Sequence, residues 1–85
     1  MSIKVMTLVW DLQLPQPEKI LLLALADNAY DEGFCWPSVA THARKASMAD
    51  RRVRRDMKRL AQAGHLTVIP QTQASNTYRV HPGGP

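Results

Sequence analysis

The stretch ADRRVRRDMKRLAQAG, residues 49–64, decides how this chain reads. Val53, Met57, Leu60 and Ala61 recur at i, i+4, i+7 and i+8, the spacing of one face of an α-helix. Gly64 follows at the position where a helix end calls for a left-handed residue. The spacing predicts a helix from about Ala49 or Asp50 to Ala63. On a wheel of about 100° per residue, Arg51, Arg55, Lys58 and Gln62 fall opposite the apolar stripe. Arg52 and Arg59 flank one side and Arg54 the other. One face of this helix suits a core, and the rest is a broad cationic back.

Upstream, Val39, Ala40 and Ala43 supply the apolar side of a shorter helix that ends near Ala46-Ser47. Pro37-Ser38 opens it, with Ser38 as cap or first-turn residue. Two helices separated by this tight turn form a helix-turn-helix. Further upstream, Ile20 to Ala26 are apolar without a break. They predict a central helix over about Gln16–Tyr30, packed on several sides. Pro17 suits its first turn, because the N–H that proline lacks has no partner there. Asp31-Glu32-Gly33 reads as its stop and turn, and Phe34-Cys35-Trp36 as a short strand. Residues 3–14 fit a strand or a helix equally: Leu8, Trp10, Leu12 and Leu14 alternate, while Leu8, Val9 and Leu12 share a helical face.

Downstream of Gly64 the period changes to two. Leu66 and Val68 alternate around Thr67, Pro70 ends that strand, and Thr77-Tyr78-Arg79-Val80 follows a polar loop from Gln71 to Asn76. This predicts a β-hairpin, and behind a helix-turn-helix a hairpin is a wing. The expected fold is α+β and mostly helical: a winged helix-turn-helix of three helices with a C-terminal two-stranded wing. Residues 1–14 read as an apolar N-terminal arm, 15–81 as the domain, and 82–85 as the start of a Pro/Gly linker or tail.

The 85 residues suffice for one domain with a modest core and leave no bulk for a deep, lidded substrate cleft. The longest apolar run, Ile20–Ala26, is far shorter than the roughly 20 residues needed to span a bilayer. A single cysteine, Cys35, allows no internal disulfide, which fits a reducing cytoplasm. The net charge of +4 hides an asymmetry. Residues 1–35 hold two lysines against five acids, net −3. Residues 36–85 hold nine cations against Asp50 and Asp56, net +7. Eight of those nine lie between Arg44 and Arg59, a concentration that marks a polyanion-binding surface.

Taken together, LLLALADNAYDEGFCWPS (residues 21–38), RRVRRDMKRLAQAG (51–64) and SNTYRV (75–80) resemble the winged helix-turn-helix at the N-terminus of phage, prophage and plasmid replication proteins. The resemblance covers about residues 8–82, and the LALADNA…G.CWPS block is its most specific part. It implies double-stranded DNA binding and a Pro/Gly-rich linker to a further replication domain. The chain departs from the family pattern at four places. His42 stands where an apolar residue is usual, Ser47 where Gly is common, Ala49 where a Ser cap is common, and Arg52 where Thr is usual.

The candidate DNA-binding residues are Arg51, Arg52, Arg54, Arg55, Lys58 and Arg59 on the basic helix. Arg44 and Lys45 at the end of the preceding helix, Ser38, and Arg79 in the second wing strand complete the set. An arginine near the helix start is placed to read guanine bidentately, and the others to hold phosphates. The loop Gln71–Ser75 carries no Lys or Arg. Trp10 and Trp36 read as core residues rather than stacking platforms, His42 as a buried or boundary histidine, and Cys35 as a small buried hydrophobe. No catalytic set is present, and no cofactor or metal is expected. A small phage or prophage transcription regulator, or a module that binds an acidic protein partner, would use the same surface. Ile3, Val5, Leu8 and Trp10 exceed the needs of a small core, so a homodimer through residues 3–14 is a further expectation.

Overall fold

A computed structural model describes residues 2–36, 39–70 and 76–82. They form four helices and three strands: α1 (Ile3–Trp10), α2 (Gln16–Asp27), β1 (Phe34–Cys35), α3 (Val39–Ala46), α4 (Asp50–Gln62), β2 (Leu66–Ile69) and β3 (Thr77–Val80). The expected winged helix-turn-helix is the fold observed, with one helix and one strand more than three helices and a hairpin.

The column at its centre is α2. Leu21, Leu22, Leu25 and Ala26 are fully buried, and Leu23 and Ala24 nearly so. Only a helix with neighbours on several sides can bury so continuous an apolar run, and α2 packs against α1, α3, α4 and β3. Its partners are Val5 and Val9 of α1, Val53, Met57 and Leu60 of α4, and Leu66, Tyr78 and Val80 of the sheet. Removing a buried leucine from such a site costs about 2–5 kcal/mol, because the cavity collapses only partly.

Residues 3–14, open between strand and helix, become helix α1. Ser2 settles the matter locally: its hydroxyl accepts a hydrogen bond from the Val5 amide (3.1 Å) and donates to Asp31 Oδ1 (2.9 Å). A capped start and the burial of Val5 and Val9 fold this segment onto α2, so much of the expected arm belongs to the core. Two core expectations fail here. Trp10 and Trp36 are 57% and 50% exposed. Trp36 packs edge-on against Tyr30 at 5.5 Å between ring centroids. Ala40, expected on the apolar side of α3, is exposed as well, and His42 is buried next to Ala43. His42 meets Tyr78 edge to face, with centroids 5.7 Å apart. Cys35 is fully buried, and burial pushes its thiol up to about 11.

The sheet is antiparallel in the order β1-β3-β2. The predicted hairpin is the pair β2–β3, with Leu66 opposite Val80 and Val68 opposite Tyr78. Of the expected strand Phe34-Cys35-Trp36, the first two residues form β1, which pairs Phe34 with Arg79 and Cys35 with Tyr78. Gly33 makes that pairing possible. It sits at φ +93°, and a Cβ there would stand 2.4 Å from the Val80 carbonyl oxygen. Its own carbonyl accepts from the Val80 amide at 2.9 Å. Gly33→Ala is therefore expected to lower stability by about 2 kcal/mol or more. A thermal melt of the variant checks this, and an unchanged midpoint contradicts it.

Candidate nucleic-acid interface

Two helix ends shape the turn between α3 and α4. Helix α3 closes with a Schellman motif: the Met48 amide donates to the Ala43 carbonyl (2.9 Å) and the Ser47 amide to the Arg44 carbonyl (3.3 Å). That motif needs a left-handed residue, and Ser47 supplies it at φ 56°. Glycine, lacking a Cβ, is the residue that meets this backbone without strain. Two residues on, α4 begins after Ala49, whose extended backbone (φ −70°, ψ 148°) is that of an N-cap with no side chain to serve it. At its far end α4 closes as the sequence predicts. Gly64 sits at φ +85°, His65 N–H donates to the Leu60 carbonyl (2.9 Å) and Gly64 N–H to the Ala61 carbonyl (3.1 Å).

Between these ends α4 divides by face. Val53, Met57 and Leu60 point inward, and Arg51, Arg52, Arg54, Arg55, Lys58 and Arg59 are all exposed. The structure thus brings six of the ten candidate residues together on one helix. At its N-terminal end Ala49, Arg51, Arg52 and Arg55 line a shallow notch of about 460 Å³. Along its other flank Arg54, Met57, Lys58 and Ala61 face Val68, Asn76 and Tyr78 across a groove of about 450 Å³ between helix and wing.

The other candidates are placed differently. Arg44 is exposed in the last turn of α3. Lys45 is drawn back to the scaffold, with its Nζ 2.7 Å from Asp27 Oδ2 and 3.1 Å from Asn28 Oδ1. Arg79 is exposed on β3, but its Nε donates to the Glu32 carbonyl (3.3 Å) and its guanidinium lies 5.0 Å from the centre of the Phe34 ring. Ser38 and the loop 71–75 lie outside the described residues. One member of the surface escaped sequence reading. Asp56, which the helical spacing leaves at the edge of the apolar stripe, is buried to 1% exposure. Its oxygens lie 3.5 Å from Arg52 Nε and 3.6 Å from Arg55 Nε. An acidic residue so close to the core-facing arc, with arginines one residue before and four before, was the available signal.

A short helix, a tight turn and an exposed basic second helix backed by a hairpin define a DNA-binding helix-turn-helix of the winged class. The profile of the helix-turn-helix domain family matches residues 12–66, and the chain belongs to that family. The match runs from the approach to α2 through α4 to the first residue of β2, so α1 and β3 lie outside it. Among curated proteins the chain is similar to Protein YmfN of Escherichia coli (strain K12), 38% identical over 71 residues. That alignment covers 79% of this chain and 16% of the relative, so the chain spans a small part of the length of the relative it matches. No solved structure matches the chain significantly. No helix among the described residues is long and apolar enough to cross a membrane.

The two imperfect helix ends lead to a prediction. Ser47→Gly relieves a left-handed backbone and is expected to add about 1 kcal/mol. Ala49→Ser supplies the missing cap and is expected to add about 0.5–1 kcal/mol. Denaturant unfolding of the two variants and their combination checks both values, and a loss of stability in either contradicts this account of the turn.

Proposed function

We propose that the chain is the double-stranded DNA-binding domain of a mobile-element replication protein, docking α4 in a major groove. The observation that carries this reading is the arc formed by Arg51, Arg55 and Lys58 on the solvent side of α4, opposite the buried Val53, Met57 and Leu60. A helix buried on one face and cationic across the rest can enter a groove whose two walls are phosphate. Arg51, in the first turn, is the residue for a base edge. Arg54, Arg55, Lys58 and Arg59 hold phosphates from the body of the helix, and Arg44 from the end of α3. Arg52 adds charge beside the notch. Lys45, Ser38 and Arg79 play lesser parts, Lys45 because leaving Asp27 costs it an ion pair. The replication role rests on the sequence resemblance. A phage or prophage operator-binding regulator uses the same interface, and selection of bound sites from random duplexes distinguishes them: direct repeats suit an origin, a palindrome a dimeric regulator.

With about six phosphates engaged, log K should fall against log salt with a slope near −5. A fluorescence titration with duplex DNA from about 50 to 300 mM salt measures it. A flat salt response, or no binding at low salt, overturns the reading.

We further infer that the exposed side of α1 pairs with a second copy of this chain. Ile3, Met6 and Trp10 recur at i, i+3 and i+7 on the shoulder of α1, beside a hollow of about 410 Å³ lined by Met6, Trp10, Ile20, Leu23 and Ala24. A protruding indole next to an apolar hollow on the same face is what a two-fold, self-complementary contact requires. The two charges that line the hollow, Lys45 and Asp27, pair with each other at 2.7 Å, so each copy presents them with no net charge. The surface is small beside the roughly 800 Å² per partner of a stable interface, so a micromolar or weaker dimer is expected. Light scattering across a concentration series should show association that Trp10→Ser abolishes. A monomer at all concentrations, or a dimer indifferent to this change, refutes the contact.

A further inference from the structure

The interface contains one buried group that opposes its own chemistry. Asp56 is an acid on the helix that carries the cations, and it is buried rather than solvated. A buried carboxylate is costly unless it is paired and hydrogen-bonded. The charges that face it are Arg52, one turn earlier, at 3.5 Å and Arg55, its chain neighbour, at 3.6 Å. Both separations exceed the range of a well-formed N–H···O hydrogen bond, and Asp56 Oδ2 has no hydrogen-bond partner among the described residues. The two guanidinium groups are therefore held by charge more than by directed bonds. Both arginine side chains remain about half exposed, at 48% and 53%. They are positioned from below by the carboxylate and open to solvent above. Among the described residues, no other cation of α4 has an ion pair.

We propose that Asp56 is a positioning residue. In the free protein it holds Arg52 and Arg55 along the helix, and it competes with DNA phosphate for them, which limits how many cations of α4 enter non-specific backbone contacts. The proposal rests on the DNA-binding reading and adds a consequence of its own. A phosphate that takes Arg52 must leave the buried carboxylate with one partner fewer, so that contact is weak unless the rest of the helix is fully seated. Backbone contacts made by Arg54, Lys58 or Arg59 carry no such cost. Asp56 thus lowers the affinity for arbitrary duplexes more than it lowers the affinity for a duplex that fits the whole helix.

The test is a thermodynamic cycle on non-specific duplex binding by the full chain. Asp56→Asn keeps the shape and removes the charge, and Asp50→Asn makes the same charge change at an exposed position on the same helix. Asp56→Asn is expected to tighten non-specific binding several-fold and to steepen the salt slope by about 1 to 2, as released arginines displace further counterions. Asp50→Asn should do less. Arg52→Gln should cost little affinity beside Asp56 and about threefold or more beside Asn, the non-additivity expected of neighbours in contact. Circular dichroism confirms that each variant is folded. If Asp56→Asn does not fold, Arg52→Gln against Arg54→Gln in the natural background decides: the paired arginine should cost clearly less. Equal effects of Arg52→Gln in both backgrounds, with Asp56→Asn matching Asp50→Asn, overturn the proposal. Equal costs of Arg52→Gln and Arg54→Gln overturn it in the fallback. A natural chain with no salt-dependent binding overturns the DNA reading beneath it.

Discussion

The rest of the molecule depends on the burial of α2. Seven consecutive apolar residues, Ile20 to Ala26, cannot be shielded by a single neighbour, so α1, α3, α4 and β3 are all gathered around them. That gathering aims the interface. With Val53, Met57 and Leu60 drawn onto α2, the 3.6-residue repeat leaves α4 one orientation, and its arginines face outward because the other side is occupied. The hydrophobic effect supplies the force, and the charged face follows from it.

The electrostatic organisation is consistent with this division of labour. The acid-rich first half builds the scaffold and takes Lys45 back through Asp27, while Arg44 in the same turn of α3 stays exposed. Arg79 is likewise tied to the turn before β1 through the Glu32 carbonyl and the Phe34 ring. Exposed contacts of this kind are individually weak, the ion pair typically under about 1 kcal/mol. Their effect here is directional: each keeps a cation on the scaffold and leaves the cationic surface to α4.

Much of the fold was legible in the chain because its local signals agree with one another. The stripe on α4, its stop at Gly64, the apolar run of α2 and the change to period two after Gly64 each describe a structure whose burial is decided within one element. The misreadings have a common cause. Residue type points Trp10 and Trp36 to the core, yet type alone does not decide whether a partner stands opposite. Residues 3–14 were undecidable by periodicity because Val5 and Val9 become inward residues only when Ser2 caps the helix and reaches Asp31 across the fold. Lys45 and Asp27 lie 18 positions apart, and no helical spacing reports such a pair.

The sequence by itself determined the class of fold, the order of its elements from α2 onward and the residue types on the cationic face of α4, since these follow from local periodicity, capping and the distribution of charge along the chain. The tertiary structure alone decided which of the cations are available. Lys45 is paired with the scaffold, Arg79 lies against an aromatic ring, Arg52 and Arg55 stand over a buried carboxylate, and Arg51, Arg54, Lys58 and Arg59 face solvent. The physical reason is that a charge is screened or exposed by what lies within a few ångströms of it in space: for Lys45 and Arg79 those groups come from other parts of the chain, and for Arg52 and Arg55 the group is Asp56 on the same helix, buried by the packing of α4.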